Sequence, residues 1–252
     1  MARYQAILAY DGSGFQGSQR QANVRTVQGE FENALRTLNW PARSVILSGR
    51  TDTGVHAAGQ VVAFDLEWAH PADTLLNALN ANLPHDLAVR SLSLASPDFH
   101  PRFDAVSRKY RYRLFCDAVR DPLRERFLWR VHPPVTQRGD FLTQNAGVFI
   151  GTHDFAAFGS PTMPKGTTVR TVTQSEWRQM PDGEWQYEVR ADAFLYRMVR
   201  RLVFAQVFLA QGRSSAADIQ RALSKQEKFP AGLAPAHGLT LVEVMYGSND
   251  PI

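Results

Sequence analysis

The chain opens on strict alternation: Tyr4, Ala6, Leu8 and Tyr10 share one face of an extended segment, which Asp11-Gly12 ends with a turn signal. The period then changes. Val27, Phe31, Ala34, Leu35 and Leu38 recur at helical spacing, and Thr26 stands where an N-cap belongs. Short strands are expected at Ser44 to Leu47 and Gln60 to Leu66. A second helix, opened by Pro71 and carrying Leu75, Leu76 and Leu79, stops before Leu83-Pro84, because proline disfavours helix in the residue before it. Leu87 to Leu94 closes this half as a strand, so the order is β-α-β-β-α-β.

The second half follows the same order without visible sequence self-similarity. A strand is expected at Val106 to Cys116 and a helix at Gln137 to Ile150, with Gly151 placed to cap it. Strands at Thr171 to Arg178 and Trp185 to Ala191 flank a Pro181-Asp182-Gly183 turn. A long helix over Phe194 to Gln211 carries Leu195, Met198, Val199, Leu202 and Val203, with Gly212 after it, and Leu239 to Tyr246 is the last strand. The expected fold class is α+β: two tandem ferredoxin-like units with mainly antiparallel sheets, over residues 1–104 and 105–252.

Composition narrows the class. With 252 residues, 44% hydrophobic and 21% charged, the chain reads as globular and needs no disulfide or metal staple. A single cysteine, Cys116, excludes an intrachain disulfide framework and suggests a reducing compartment. No apolar run approaches the ~18 residues of a membrane span, and the N-terminus lacks the pattern of a signal peptide, so the expected location is cytoplasmic with no membrane association. Seven scattered histidines show no metal-ligand spacing, and no metal is expected. The net charge is only +4, yet nearly all the basic residues are Arg, which makes forked contacts with phosphate and stacks on flat rings. The charge is also concentrated: Arg102 to Arg130 holds nine basic residues against four acidic ones.

Three segments carry candidate chemistry. Gly12-Ser-Gly14-Phe-Gln-Gly17 matches a nucleotide-binding glycine pattern, but the next helix cap, Thr26, lies nine residues beyond Gly17, so no helix N-terminus meets a phosphate there. Gly49-Arg50-Thr51-Asp52-Thr53-Gly54-Val55-His56 contains the Asp-Thr-Gly of aspartic proteases in one copy; its bland reading is a polar connector. Arg50 fits a protease dyad badly, since a nearby cation lowers a carboxyl pKa, and fits well with a carboxylate kept ionised as a nucleophile. Ser107 to Leu114 alternates Lys109, Arg111 and Arg113 with Tyr110, Tyr112 and Leu114. Its bland reading is a half-buried strand with a solvated basic face; interleaved Arg and aromatic residues also suit a groove that tracks phosphates while a ring stacks on a base.

Taken with Arg25-Thr-Val-Gln28, Asn80-Ala-Asn-Leu-Pro84, Phe99-His-Pro-Arg-Phe103, Arg108-Lys-Tyr-Arg-Tyr112, Phe194-Leu-Tyr-Arg-Met-Val-Arg200 and Ala234-Pro-Ala-His-Gly-Leu239, these segments resemble the tRNA pseudouridine synthase A family over nearly the whole chain, in order. The resemblance implies isomerisation of uridine to pseudouridine in the anticodon stem-loop of tRNA, with no cofactor. It implies Asp52 as the catalytic carboxylate, attacking ribose or base, Tyr110 stacked on the flipped base and Arg200 paired with Asp52. Arg50 would take the vacated position in the RNA or support the flipped nucleotide. Arg102, Arg108, Lys109, Arg111 and Arg113 would contact RNA, a cleft between the two units would hold the site, and the enzyme would be a homodimer. Three residues depart from the family pattern: Ser18 stands where tryptophan is usual, Thr53 where alanine is, and Phe204 where a small glycine is. A non-catalytic tRNA-binding protein of the same fold is the rival expectation.

Overall fold

The computed structural model describes residues 1–132, 135, 139–162, 166–224 and 228–247. The chain divides into two compact units, Met1–Val106 with Leu241–Ile252, and Ser107–Thr240. Most of the last strand thus groups with the first unit, although the succession of elements had suggested the second.

In the first unit, β1 (Ala2–Tyr10), β2 (Ile46–Leu47), β3 (His56–Leu66) and β4 (Leu87–Leu94) enclose α1 (Val27–Thr37) and α2 (Ala72–Asn82) in sequence. The strands lie in the order β4-β1-β3, with β2 also on β3, and every one of these pairs is antiparallel. The opening alternation is real: Tyr4, Ala6, Leu8 and Tyr10 are buried while the residues between them are not. They share the core with Val27, Phe31, Ala34 and Leu35 of α1 and Leu75 and Leu79 of α2. Thr26 caps α1 by accepting the Gly29 N–H at 3.2 Å. Asn82 is the last residue of α2, and Leu83 before Pro84 is extended. The strand expected at Ser44 to Leu47 shrinks to two residues, and β3 extends four residues earlier than expected, to His56.

The second unit contains β5 (Ala105–Phe115), which begins at the boundary, β6 (Trp129–Arg130), α3 (Gly139–Asn145) with a 3-10 turn over Ala146–Phe149, β7 (Gly151–Asp154), β8 (Val169–Gln179), β9 (Trp185–Ala191), α4 (Met198–Ala210) and α5 (Ala216–Leu223); β10 (Leu239–Tyr246) leads out of it. Its strands lie in the order β5-β9-β8-β7, antiparallel throughout, with β6 parallel to β5. Residues 137 and 138 of the helix expected from Gln137 lie outside the described residues.

Two differences from the sequence-based expectation have physical causes. The long helix begins at Met198 rather than Phe194, because Leu195 and Tyr196 dock on an earlier loop: Tyr196 N–H donates to the Ser160 carbonyl at 2.9 Å, and a Cβ on Gly159 would stand 2.4 Å from that of Leu195. Arg197 then turns the chain into the helix with φ +61. The second difference is α5, which went unassigned although its signal is present: Ser215 and Asp218 form a capping box.

Candidate active site

Asp52 sits in a turn of the first unit that is built by contact of backbone on backbone. The Val55 N–H donates to the Asp52 carbonyl at 3.1 Å, and Gly54 at φ +78 occupies the turn position that requires a positive φ. The loop after β1 packs directly against this turn. A Cβ on Gly12 would stand 2.1 Å from the Val55 carbonyl oxygen, and one on Gly17, at φ +88, 3.0 Å from that of Thr51. Gly14 faces the bidentate pair between Arg25 and Asp86, whose contacts are 2.7 and 2.8 Å. The glycine pattern that mimics a phosphate loop is thus what lets one loop lie against another.

Buried neutral groups hold the residues that lead into Asp52. The Ser18 N–H donates to the Thr51 carbonyl at 3.1 Å, and the Thr51 N–H donates to Ser18 Oγ at 2.8 Å. Thr51 Oγ1 lies 2.9 Å from Tyr10 Oη. Gln60 donates through Nε2 to the Gly49 carbonyl at 3.0 Å and accepts from Ser48 Oγ at 2.7 Å. On the far side of the turn, the Gly12 N–H donates to His56 Nδ1 at 2.9 Å. Burial pushes the Tyr10 phenol up to about 12, opposed by its hydrogen bonds to Thr51 and Gln60. Asp52 itself is half-buried, while Arg50 and Thr53 on either side are exposed. Tryptophan's absence at position 18 therefore leaves no open loop: Ser18 is fully buried and bonded.

Tyr110 and Arg200 belong to the second unit. Alternation along β5 places Tyr112 and Leu114 in the core and leaves Tyr110 half-buried, its ring edge-on to Phe194 at 5.1 Å. Arg200, in the first turn of α4, is half-buried; its Nε donates to the Ala234 carbonyl at 2.8 Å, and the Ala234 N–H donates to the Arg200 carbonyl at 3.2 Å. The segment that follows is pinned as well. Tyr112 Oη donates to the Pro235 carbonyl at 2.8 Å, and Gly238 lies so close to that ring that a Cβ would be 2.6 Å from it. Burial holds the His237 imidazole below the usual histidine pKa, with the Arg200 charge adding to this, against a backbone hydrogen bond at Leu128 and the Glu125 carboxylate. Phe204 covers Gly232, where a Cβ would come within 2.0 Å of the ring.

The basic stretch is less basic than its sequence. Lys109 Nζ and Arg111 Nη2 each lie 2.7 Å from a carboxylate oxygen of Glu188, and Arg113 holds Glu184 through two contacts of 2.6 Å. Arg120 and Arg130 pair with Glu125, and Arg124 with Asp117. Lys109, Arg111 and Arg113 were expected to contact RNA; Glu188 of β9 and Glu184 just before that strand meet them across the sheet, which spacing along the chain could not reveal. Arg108 donates to the Asp192 carbonyl at 2.8 Å, and Arg102 lies 6.0 Å from the ring of Phe103.

Comparison with known proteins places this chain in a class of RNA-modifying enzymes. The sequence pattern described as tRNA pseudouridine synthase matches residues 6–104 and 146–247. The chain is 42% identical to tRNA pseudouridine synthase A of Chloroflexus aurantiacus over 248 residues, 95% of this chain and 87% of that one. It is 38% identical to the protein of the same name from Shouchella clausii, covering 98% of this chain and 94% of that one. For Geobacillus kaustophilus the identity is 39%, over 97% and 94%. Among solved structures, the archaeal box H/ACA sRNP Nop10-Cbf5 complex is matched at TM-score 0.33 and 14% identity, over 73% of this chain and 39% of that chain. The chain belongs to the tRNA pseudouridine synthase family. It is an isomerase that converts uridine to pseudouridine in tRNA, which removes both the protease expectation and the non-catalytic one.

Proposed function

We propose that Asp52 is the catalytic carboxylate of this isomerisation and that the substrate uridines lie in the anticodon stem-loop. The observation that carries the assignment is local. Asp52 opens a turn whose preceding residue, Thr51, has its N–H, its carbonyl and its hydroxyl all held by buried partners. A carboxylate presented from so fixed a backbone suits a reaction in which the N1–C1′ bond breaks, the base turns, and a C5–C1′ bond forms as C5 loses its proton and N1 gains one. The base must leave its stack first. Tyr110 would lie against its plane, Arg200 would bind the substrate, and Arg50, exposed beside Asp52, would support the nucleotide or fill its place in the RNA. Arg102 and Arg108 remain candidates for phosphate contact. Lys109, Arg111 and Arg113 act chiefly within the sheet, their charge shared with Glu184 and Glu188.

Two ferredoxin-like units in tandem are the finer fold assignment. It is supported by the antiparallel order β4-β1-β3-β2 of the first unit and by the succession β5, α3, β8, β9 and α4 in the second. A cytoplasmic homodimer is part of the same proposal. Among the described residues no helix is long and apolar enough to cross a membrane, and sedimentation at micromolar concentration tests the dimer. Tritium release from C5-labelled uridine in tRNA tests the catalytic assignment. Asp52→Asn is expected to abolish release while tRNA affinity stays within about tenfold, roughly 1.4 kcal/mol. Appreciable turnover by that variant overturns it.

A further inference from the structure

Resting on the assignment of Asp52, we propose that Ser18 is a positioning residue for the isomerisation, acting on Asp52 through Thr51. Ser18 is fully buried, and both of its hydrogen bonds to Thr51 point at the peptide units on either side of that residue. The first, from the Ser18 N–H to the Thr51 carbonyl, fixes the peptide that Thr51 shares with Asp52. The second, from the Thr51 N–H to Ser18 Oγ, fixes the peptide shared with Arg50 and is a side-chain link. Ser18 is itself anchored, because its carbonyl accepts the Gln28 N–H at 2.9 Å in the first turn of α1. A continuous path therefore runs from the start of α1 through Ser18 and Thr51 to Asp52. Tyr10 Oη completes the hold by meeting the Thr51 hydroxyl.

The hydroxyl matters because Ser18 and Thr51 are both buried. Ser18→Ala leaves the Thr51 N–H buried without its acceptor, and a buried donor that loses its partner drives local rearrangement. The peptide between Arg50 and Thr51 is then free to rotate, and Asp52 moves with it. Displacement of a reacting group by about 1 Å can cost about 10²-fold in rate. The function assigned to Ser18 is thus orientation of a neighbour's backbone, with no contact to substrate required.

The test measures single-turnover pseudouridine formation, steady-state kcat and KM, and tRNA affinity. Ser18→Ala is expected to lower kcat by about tenfold or more with KM and affinity unchanged, and to speed amide exchange at Thr51. Thr51→Val, which removes the hydroxyl at equal volume, is expected to slow kcat by about threefold, and Thr51→Ser to stay near the wild-type value. Ser175→Ala, which removes a buried hydroxyl from the second unit where it meets the Ala146 carbonyl at 2.6 Å, is the stability control. Wild-type kcat in Ser18→Ala overturns the proposal, as does an equal loss in Ser175→Ala. If Ser18→Ala does not fold, Tyr10→Phe decides: slower kcat at unchanged KM supports the path through Thr51, and wild-type kcat overturns it. Asp52→Asn run alongside separates the two layers. Turnover by that variant sinks the catalytic assignment itself, whereas its inactivity together with a fully active Ser18→Ala sinks only the role of Ser18.

Discussion

Residues 48–56 and the polar face of β5 and β9 are both held by side-chain hydrogen bonds, but of opposite kinds. Around Asp52 the partners are neutral and buried: Ser18, Ser48, Thr51, Gln60 and Tyr10. On the sheet face they are charged, partly exposed cations on buried carboxylates: Lys109 and Arg111 on Glu188, and Arg113 on Glu184. Neutral hydrogen bonds between buried groups demand close geometry and do not titrate near neutral pH. Ion pairs tolerate more displacement, weaken with salt and fail in acid. The backbone before Asp52 is therefore held by neutral groups, and the paired cations of the second unit secure a sheet.

The largest expected effect comes from forcing the two loops of the first unit apart. Gly12→Ala sets a Cβ against the Val55 carbonyl, a backbone atom with no rotamer to escape into. It should cost about 3 kcal/mol, measured as a shift in the denaturant midpoint. Gly232→Ala is the matching change in the second unit, but there the obstacle is the ring of Phe204. It should cost about 1 kcal/mol less, and Phe204→Leu should restore part of the loss; equal costs at the two glycines would show that backbone contact is not what makes the Asp52 loop rigid.

Glu188→Gln probes the charged face and should cost about 1 kcal/mol at pH 7. Its sign with pH follows from the pairing. Burial pushes the Glu188 carboxyl up, but Lys109 and Arg111 outweigh this and leave it below its ordinary 4.5. The native state therefore prefers the ionised form, and the stability it contributes is full above 4.5 and lost as pH falls through the lowered value. The gap between wild type and Glu188→Gln should narrow as pH falls below 4.5, read from denaturation midpoints, while protection of the Thr51 amide from exchange shows no matching step. An acid step at Thr51 would erase the contrast between the regions.

The smallest expected effect is on the salt dependence of tRNA binding. Arg50 has no hydrogen bond or ion pair among the described residues. Replacing it with Ala should reduce the slope of log affinity against log salt by about one, whereas Lys109→Ala, whose charge Glu188 already balances, should change it by less. The reverse order would mean that the β5 cations reach phosphate in the complex.

Much of the first unit was legible because its signals are local. Thr26 caps its helix through its own hydroxyl, Pro84 stops the next one, and the alternation from Tyr4 to Tyr10 is a property of four side chains on one strand. The features that the sequence hid depend on residues far along the chain. Leu195 fits a helical stripe and is instead set against Gly159, and Lys109 meets a carboxylate from a strand some eighty residues on. Ser18 is the instructive case: along the chain it is only a departure from a family pattern, and the structure has it bonded to Thr51.

The sequence alone determined the succession of strands and helices, most of their ends and the kinship with pseudouridine synthases, because period, caps, turn residues and ordered motifs are all written over short stretches. Tertiary structure decided which charges are shared, why the glycines before Ser18 are there, and what holds the peptide in front of Asp52. Those depend on distances between residues remote in sequence, and a hydrogen bond or an ion pair exists only where folding brings donor and acceptor within about 3 Å.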